Sequence, residues 1–139
     1  MTALVLDASV TICWCFPDQR TDYSKAVLSS VTEGLAVVPA LWAIEVGNVL
    51  LTSTRRGVLS PDLMRAFLEN LAVLPKQVDY QDPDRVLGDV LRLAQKHRLT
   101  NYDACYLELA KRMSLPLASQ DSALLTAAQR EGVMQFGHA

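Results

Sequence analysis

Apolar residues along the chain fall into two rhythms. Short runs of aliphatic residues alternate with longer segments in which apolar positions recur every three or four residues, the period of a helix with one buried face. The short runs predict strands over 3–6, 35–38, 77–80, 117–119 and 133–136, the third being the weakest. The periodic segments predict helices over 9–16, 22–33, 40–56, 61–74, 83–97, 102–113 and 122–131. Gly34, Gly57 and Gly132 follow three of these, as helix stop signals do. Ser60-Pro61 and Asp82-Pro83 read as a cap followed by proline in the first turn.

Strand and helix in alternation, with no proline- or serine-rich linker and no internal repeat, predict an α/β fold. Its parallel sheet would be covered by helices on both faces. A chain of 139 residues buries roughly two-thirds of the surface its unfolded form exposes, so residues 1–139 are expected to form one domain without disulfides or a structural metal. In open parallel sheets ligands bind outside the carboxyl ends of the strands. Asp7 ends the first strand, in "VLDASV", and Asp121 follows "PLAS", so two acids are expected on one rim.

Thirteen basic and fifteen acidic side chains leave a net charge of -2, unlike a protein that coats nucleic acid through a basic excess. The basic patches Arg55-Arg56, Lys96-His97-Arg98 and Lys111-Arg112 each sit near a predicted helix end, where cations complement the dipole. Cys13, Cys15 and Cys105 are odd in number, and their spacing matches neither paired zinc ligands nor a redox pair. They read as small buried residues in a reducing compartment. Four apolar residues before Asp7 are too few for a signal-peptide core, and the longest apolar run, 35–44, contains Pro39 and is too short to span a bilayer. A cytoplasmic protein with no membrane association is expected.

Taken singly, Asp7 and Asp121 read as helix caps and Asp103 as an acid complementing the first turn of its helix. Glu45 departs from this pattern. It interrupts "ALWAIEVGNVLL", a helix apolar enough to be expected largely buried, where a lone carboxylate costs several kcal/mol or gives up its charge. Asn48 follows at i+3 on the same face. Such a polar stripe looks onto a polar cavity or an ion, unless a buried arginine or helix-end amides satisfy the Glu. If Asp7, Glu45, Asp103 and Asp121 converge, each close pair repels by roughly 4 kcal/mol at about 4 Å and an effective dielectric near 20. A cluster of this kind takes up protons or binds a cation. Its hard oxygen ligands favour Mg²⁺ or Mn²⁺ over zinc. His97 and His138 are isolated along the chain and supply no ligand set. Carboxylates alone on an α/β sheet point to metal-assisted phosphoryl transfer.

"LDASV", "EVGN", "LTNYDACYLELA" and "LPLASQDSALLTAA", in that order and spacing over about residues 3 to 136, resemble the PIN-domain ribonucleases, and most of all the VapC toxins of bacterial toxin–antitoxin pairs. The resemblance implies a PIN-like three-layer fold. It implies that Asp7, Glu45, Asp103 and Asp121 hold Mg²⁺ or Mn²⁺ and cleave RNA, with Ser9 and Asn48 beside them and Ser119 where many members carry threonine. It also implies a homodimer and a cognate antitoxin that covers the acidic groove.

Three other readings compete. A phosphatase of the haloacid-dehalogenase type needs a second Asp two residues after the first, where this chain has Ser9. A nucleotide-binding enzyme would carry a glycine-rich phosphate loop, and the sequence has none. A housekeeping RNA-processing nuclease, or a catalytically silent PIN-like binding module, would share the motifs.

Overall fold

The computed structural model describes residues 2–137. Its strands are β1 (Ala3–Leu6), β2 (Leu35–Pro39), β3 (Lys76–Asp79) and β4 (Leu117–Ala118). They form one sheet in the order β3-β2-β1-β4, parallel throughout. The helices are α1 (Ala8–Cys13), α2 (Asp22–Glu33), α3 (Leu41–Arg55), α4 (Pro61–Val73), α5 (Pro83–Arg85), α6 (Leu91–His97), α7 (Asn101–Met113) and α8 (Ser122–Arg130). This is the expected α/β arrangement. Leu4, Val5 and Leu6 are all buried although they are consecutive. Successive strand residues point to opposite faces, so both faces of the sheet are covered.

Helix boundaries follow local chemistry. Thr21 and Ser24 form a reciprocal capping box at α2, while Ser60, Asp82 and Thr100 each accept an amide hydrogen bond at the start of α4, α5 and α7. Gly57 and Gly132 take positive φ after α3 and α8. Gly34 is needed for a different reason: a Cβ there would lie 1.9 Å from the Thr2 carbonyl oxygen. α7 is the central helix. Ala104 through Ala110 are all buried, and Tyr106 is the largest fully buried side chain.

Three expectations need correction. The stretch 133–136 is not a strand: Gln135 makes a single parallel bridge to Leu117. β4 has only two residues, and the segment lies between Gly132 and Gly137, both at positive φ, so nothing extends the ladder. The helix over 83–97 is broken by a π turn at Val86–Val90 between α5 and α6. α3 is not largely buried. Trp42, Val46, Leu50 and Ser53 form its buried stripe, whereas Ile44, Val49 and Leu51 are exposed. An apolar sequence all round a helix does not bury all of it when only one side meets the sheet.

Candidate active site

The chain leaves β1 toward β2 on one side of the sheet and later returns to place β4 on the other side of β1. The crevice above β1 and β4 is therefore a topological switch point, the usual ligand position in this architecture. Asp7 stands at the end of β1, Asp121 starts α8 after β4, Asp103 lies in the first turn of α7, and Glu45 projects from α3. All four line one open cleft of about 710 Å³, together with Ser9 and Asn48. The fold thus brings together the four acids and two of their three expected helpers, and the third, Ser119, touches Asp7 from beneath.

Asp7 occupies the N-cap position of α1 without a regular capping hydrogen bond to its carboxylate, although the Ser9 amide helps to stabilise the charge. The carboxylate accepts from the Ser9 hydroxyl at 2.8 Å and the Ser119 hydroxyl at 2.7 Å, both on Oδ2. Ser119 is wholly buried and its oxygen accepts the Asp121 amide at 3.0 Å, so one hydroxyl ties the two acidic loops together. Oδ1 of Asp7 is left without a hydroxyl donor. Asp121 does cap, through Oδ1 to the Leu124 amide at 2.9 Å. Its cap role and its place in the cleft coexist because a carboxylate has two oxygens.

Burial pushes the carboxyl of Asp7 up, partly offset by the hydroxyls of Ser119 and Ser9, and the charge of Asp121 adds to the rise. Burial also raises Asp103, to about 6, with the charges of Asp121 and Asp7 contributing. Glu45 is raised by burial and by Asp7 and Asp103, against the pull of the Tyr106 hydroxyl. Three acids raised by burial and by one another form a site short of positive charge. Among the described residues no three His, Cys, Asp or Glu side chains stand close enough to form a ready-made ion cage. The acids instead ring an open cleft, and their all-oxygen donor set suits a hard divalent cation.

Sequence reasoning missed Tyr106. Its hydroxyl donates to Glu45 Oε1 at 2.6 Å, joining α7 to α3 from within the core. A signal was present, since Tyr106 lies three residues after Asp103 and shares its side of the helix. Trp42 and Thr11 support the same region: the indole N–H donates to the Thr11 hydroxyl at 3.0 Å, which donates to the Asp7 carbonyl at 3.3 Å.

The sequence pattern of the PIN domain matches residues 4–129. The chain belongs to the PIN-domain family. This PIN domain is 34% identical over 121 residues to Ribonuclease VapC3 of Pyrobaculum aerophilum, covering 87% of this chain and 91% of that protein. Its fold is similar to the crystal structure of PAE2754 from Pyrobaculum aerophilum, with a TM-score of 0.67, 24% identity, and coverage of 91% of this chain and 84% of the other. It is also similar to FitAcB from Neisseria gonorrhoeae, with a TM-score of 0.62, 18% identity and 96% coverage of each chain.

None of the remaining candidates lines the acidic cleft of this PIN domain. The basic patches occupy helix ends, as expected. Two of them are also partly neutralised: Lys96 and Lys111 both meet Glu131, at 2.8 and 2.7 Å, and Arg112 pairs with Asp79 and Glu108. His97 is not isolated in space, because its Nε2 lies 2.6 Å from Glu131. His138 lies outside the described residues. All three cysteines are free, and Cys13, unlike Cys15 and Cys105, is not fully buried.

Proposed function

We propose that this PIN domain, residues 1–139 acting as one unit, is an endoribonuclease that hydrolyses RNA with Mg²⁺ or Mn²⁺. The observation that carries the reading is the convergence of Asp7, Glu45, Asp103 and Asp121 on one cleft at the switch point. The similarity to a protein named as a ribonuclease supports it.

In this reading Asp7, Asp103 and Asp121 hold the cation directly or through water. When bound, the cation supplies a more acidic water and neutralises charge on the leaving oxygen. Ser9 and Ser119 fix the Asp7 carboxylate by occupying Oδ2, which keeps Oδ1 available. Glu45 orients the attacking water or takes its proton, with Oε1 held by Tyr106 and Oε2 left for the water. Asn48, one turn further along α3, positions the phosphate or water. The raised pKa values suit this role, because carboxyls that hold their protons in the empty cleft release them when a cation supplies positive charge.

The same reading makes the protein the toxin of a type II toxin–antitoxin pair, silenced by a cognate antitoxin in the cytoplasm and acting as a homodimer. Free thiols and the lack, among the described residues, of a helix long and apolar enough to cross a membrane are compatible with that location. Exposed Ile44, Leu51, Val58 and Leu63 supply apolar surface for self-association.

Purified protein, freed of any co-purified partner, is incubated with mixed-sequence RNA in Mg²⁺ or Mn²⁺ and again with chelator. Internal cuts that need the metal are expected. Intact RNA under every condition, with no metal binding by calorimetry, overturns the reading. Cutting that no protein encoded beside this gene inhibits keeps the nuclease and removes the toxin.

A further inference from the structure

Beside the acidic cleft lies a smaller cavity of about 260 Å³, and the two share Leu41 and Tyr102 as a common wall. Tyr102 is 64% exposed, although it sits between Asn101 and Asp103 at the start of the most buried helix in the fold. An aromatic ring left in water there gives the core nothing. The cavity is otherwise lined by Ala40, Val86 and Cys105 and by two side-chain amides, those of Gln81 and Asn101, with no charged residue. Gln81 donates its Nε2 to the Cys105 carbonyl at 3.4 Å and to Glu108 Oε2 at 3.2 Å. This fixes the amide and leaves its carbonyl oxygen as an acceptor. The Asn101 side chain makes no hydrogen bond among the described residues, so both the donor and the acceptor of its amide remain available. Val86 opens the π turn, a widened helical turn that often accompanies functional sites.

We propose that this cavity is a base-recognition subsite for the adenine of a single-stranded RNA nucleotide next to the scissile phosphate. This deepens the ribonuclease reading and rests on it. Proteins that read single-stranded RNA stack splayed bases on aromatic rings and bond their edges with polar side chains. Tyr102 supplies the ring. The amides supply a neutral donor and acceptor pair, which matches the N6 donor and N7 acceptor of adenine. Guanine presents two acceptors on that edge and is read by arginine or lysine, neither of which lines the cavity. A pyrimidine offers a similar donor and acceptor pair on its Watson–Crick edge, but its single ring covers less of the tyrosine face than a purine does. Because Tyr102 lines both this cavity and the acidic cleft, a base stacked on it belongs to a nucleotide flanking the phosphate held at the acids.

Two measurements test this. In the first, the chelated full-length protein is titrated with adenosine, guanosine, cytidine and uridine, neutral probes that the acids do not repel, while the resonances of Tyr102 and the Asn101 side-chain amide are followed by NMR. Adenosine is expected to shift both and to bind about tenfold more tightly than the others, with the response lost in Tyr102→Ala and Asn101→Ala. In the second, cut sites are mapped by sequencing in the presence of metal. Cuts are expected beside adenine. Tyr102→Ala should lower kcat/KM about tenfold, as expected for losing one stacked base, while Tyr102→Phe retains it and Asn101→Ala loses the adenine preference. Equal responses to all four nucleosides, or unchanged cut sites and rates in Tyr102→Ala and Asn101→Ala, overturn the proposal. Adenosine binding in a protein that cuts no RNA supports the pocket's ligand and overturns the nuclease reading instead.

Discussion

Replacing Asp103 by asparagine removes one charge from a cleft that already holds too many. In the metal-free protein the carboxyl rises from 3.8 to about 6, worth about 3 kcal/mol at about 1.4 kcal/mol per unit. Water around this partly exposed group screens that to about half. Losing an acid from the first turn of α7 removes about 0.5 kcal/mol of favourable dipole interaction. The expected net stabilisation is about 1 kcal/mol at pH 8. The folded pKa lies above the unfolded one, so folding binds the proton more tightly. The strain is absent below about pH 4, grows as pH rises through about 6, and is complete above that. Urea unfolding of wild type and Asp103→Asn in chelator at pH 4 and pH 8 measures it. The variant should be firmer at pH 8 and nearly equal at pH 4. A variant equal to or weaker than wild type at pH 8, or an advantage unchanged at pH 4, refutes the electrostatic account of the cleft.

Other predictions concern the supports. Ser119→Ala leaves Asp7 short of a donor and the Asp121 amide without its acceptor, both in a buried setting. It should cost about 1–3 kcal/mol in urea unfolding, while Ser119→Thr, which keeps the hydroxyl, should cost less. Glu131→Gln should lose about 1–2 kcal/mol at pH 7: Lys111, Lys96 and His97 pull the carboxyl from 4.5 to about 2, and the exposure of both lysines discounts the full value. Because this folded pKa is lowered, the contribution is complete above about pH 4.5 and fades as pH falls toward 2. Wild type and variant should therefore converge in acid. Gly34→Ala should destabilise by about 1–3 kcal/mol in the same assay, since the new methyl meets the Thr2 carbonyl.

Where one residue decides, the sequence was legible. Leu4 to Leu6 are branched or long aliphatic residues ending at Asp7, and they form the strand and its rim acid. Ser60 and Asp82 cap the helices they precede. The acids were legible as a set because each sits at a junction or interrupts an apolar helix. Contacts between distant segments were not. Tyr106 and Glu45 are 61 residues apart; the spacing of Tyr106 from Asp103 places its ring on the acid's side of the helix, but no local feature names Glu45 as the hydroxyl's partner. His97 meets Glu131 across 34 residues for the same reason. The segment 133–136 has strand-like residues, but whether it extends a sheet depends on the length of β4, which its own residues do not encode. The apolar surface of α3 misled because hydrophobicity specifies what burial would favour, not how many neighbours the fold supplies.

The central claim is that Asp7, Glu45, Asp103 and Asp121 act as one hydrolytic site. The most direct test is cleavage of the same RNA, with Mg²⁺ or Mn²⁺, by wild type and by Asp7→Asn, Glu45→Gln, Asp103→Asn and Asp121→Asn, each first shown to be folded. All four variants should lose cutting by a similar large factor, because residues that act as a unit fail together. A folded Asp7→Asn protein that still cuts at the wild-type rate would contradict the account.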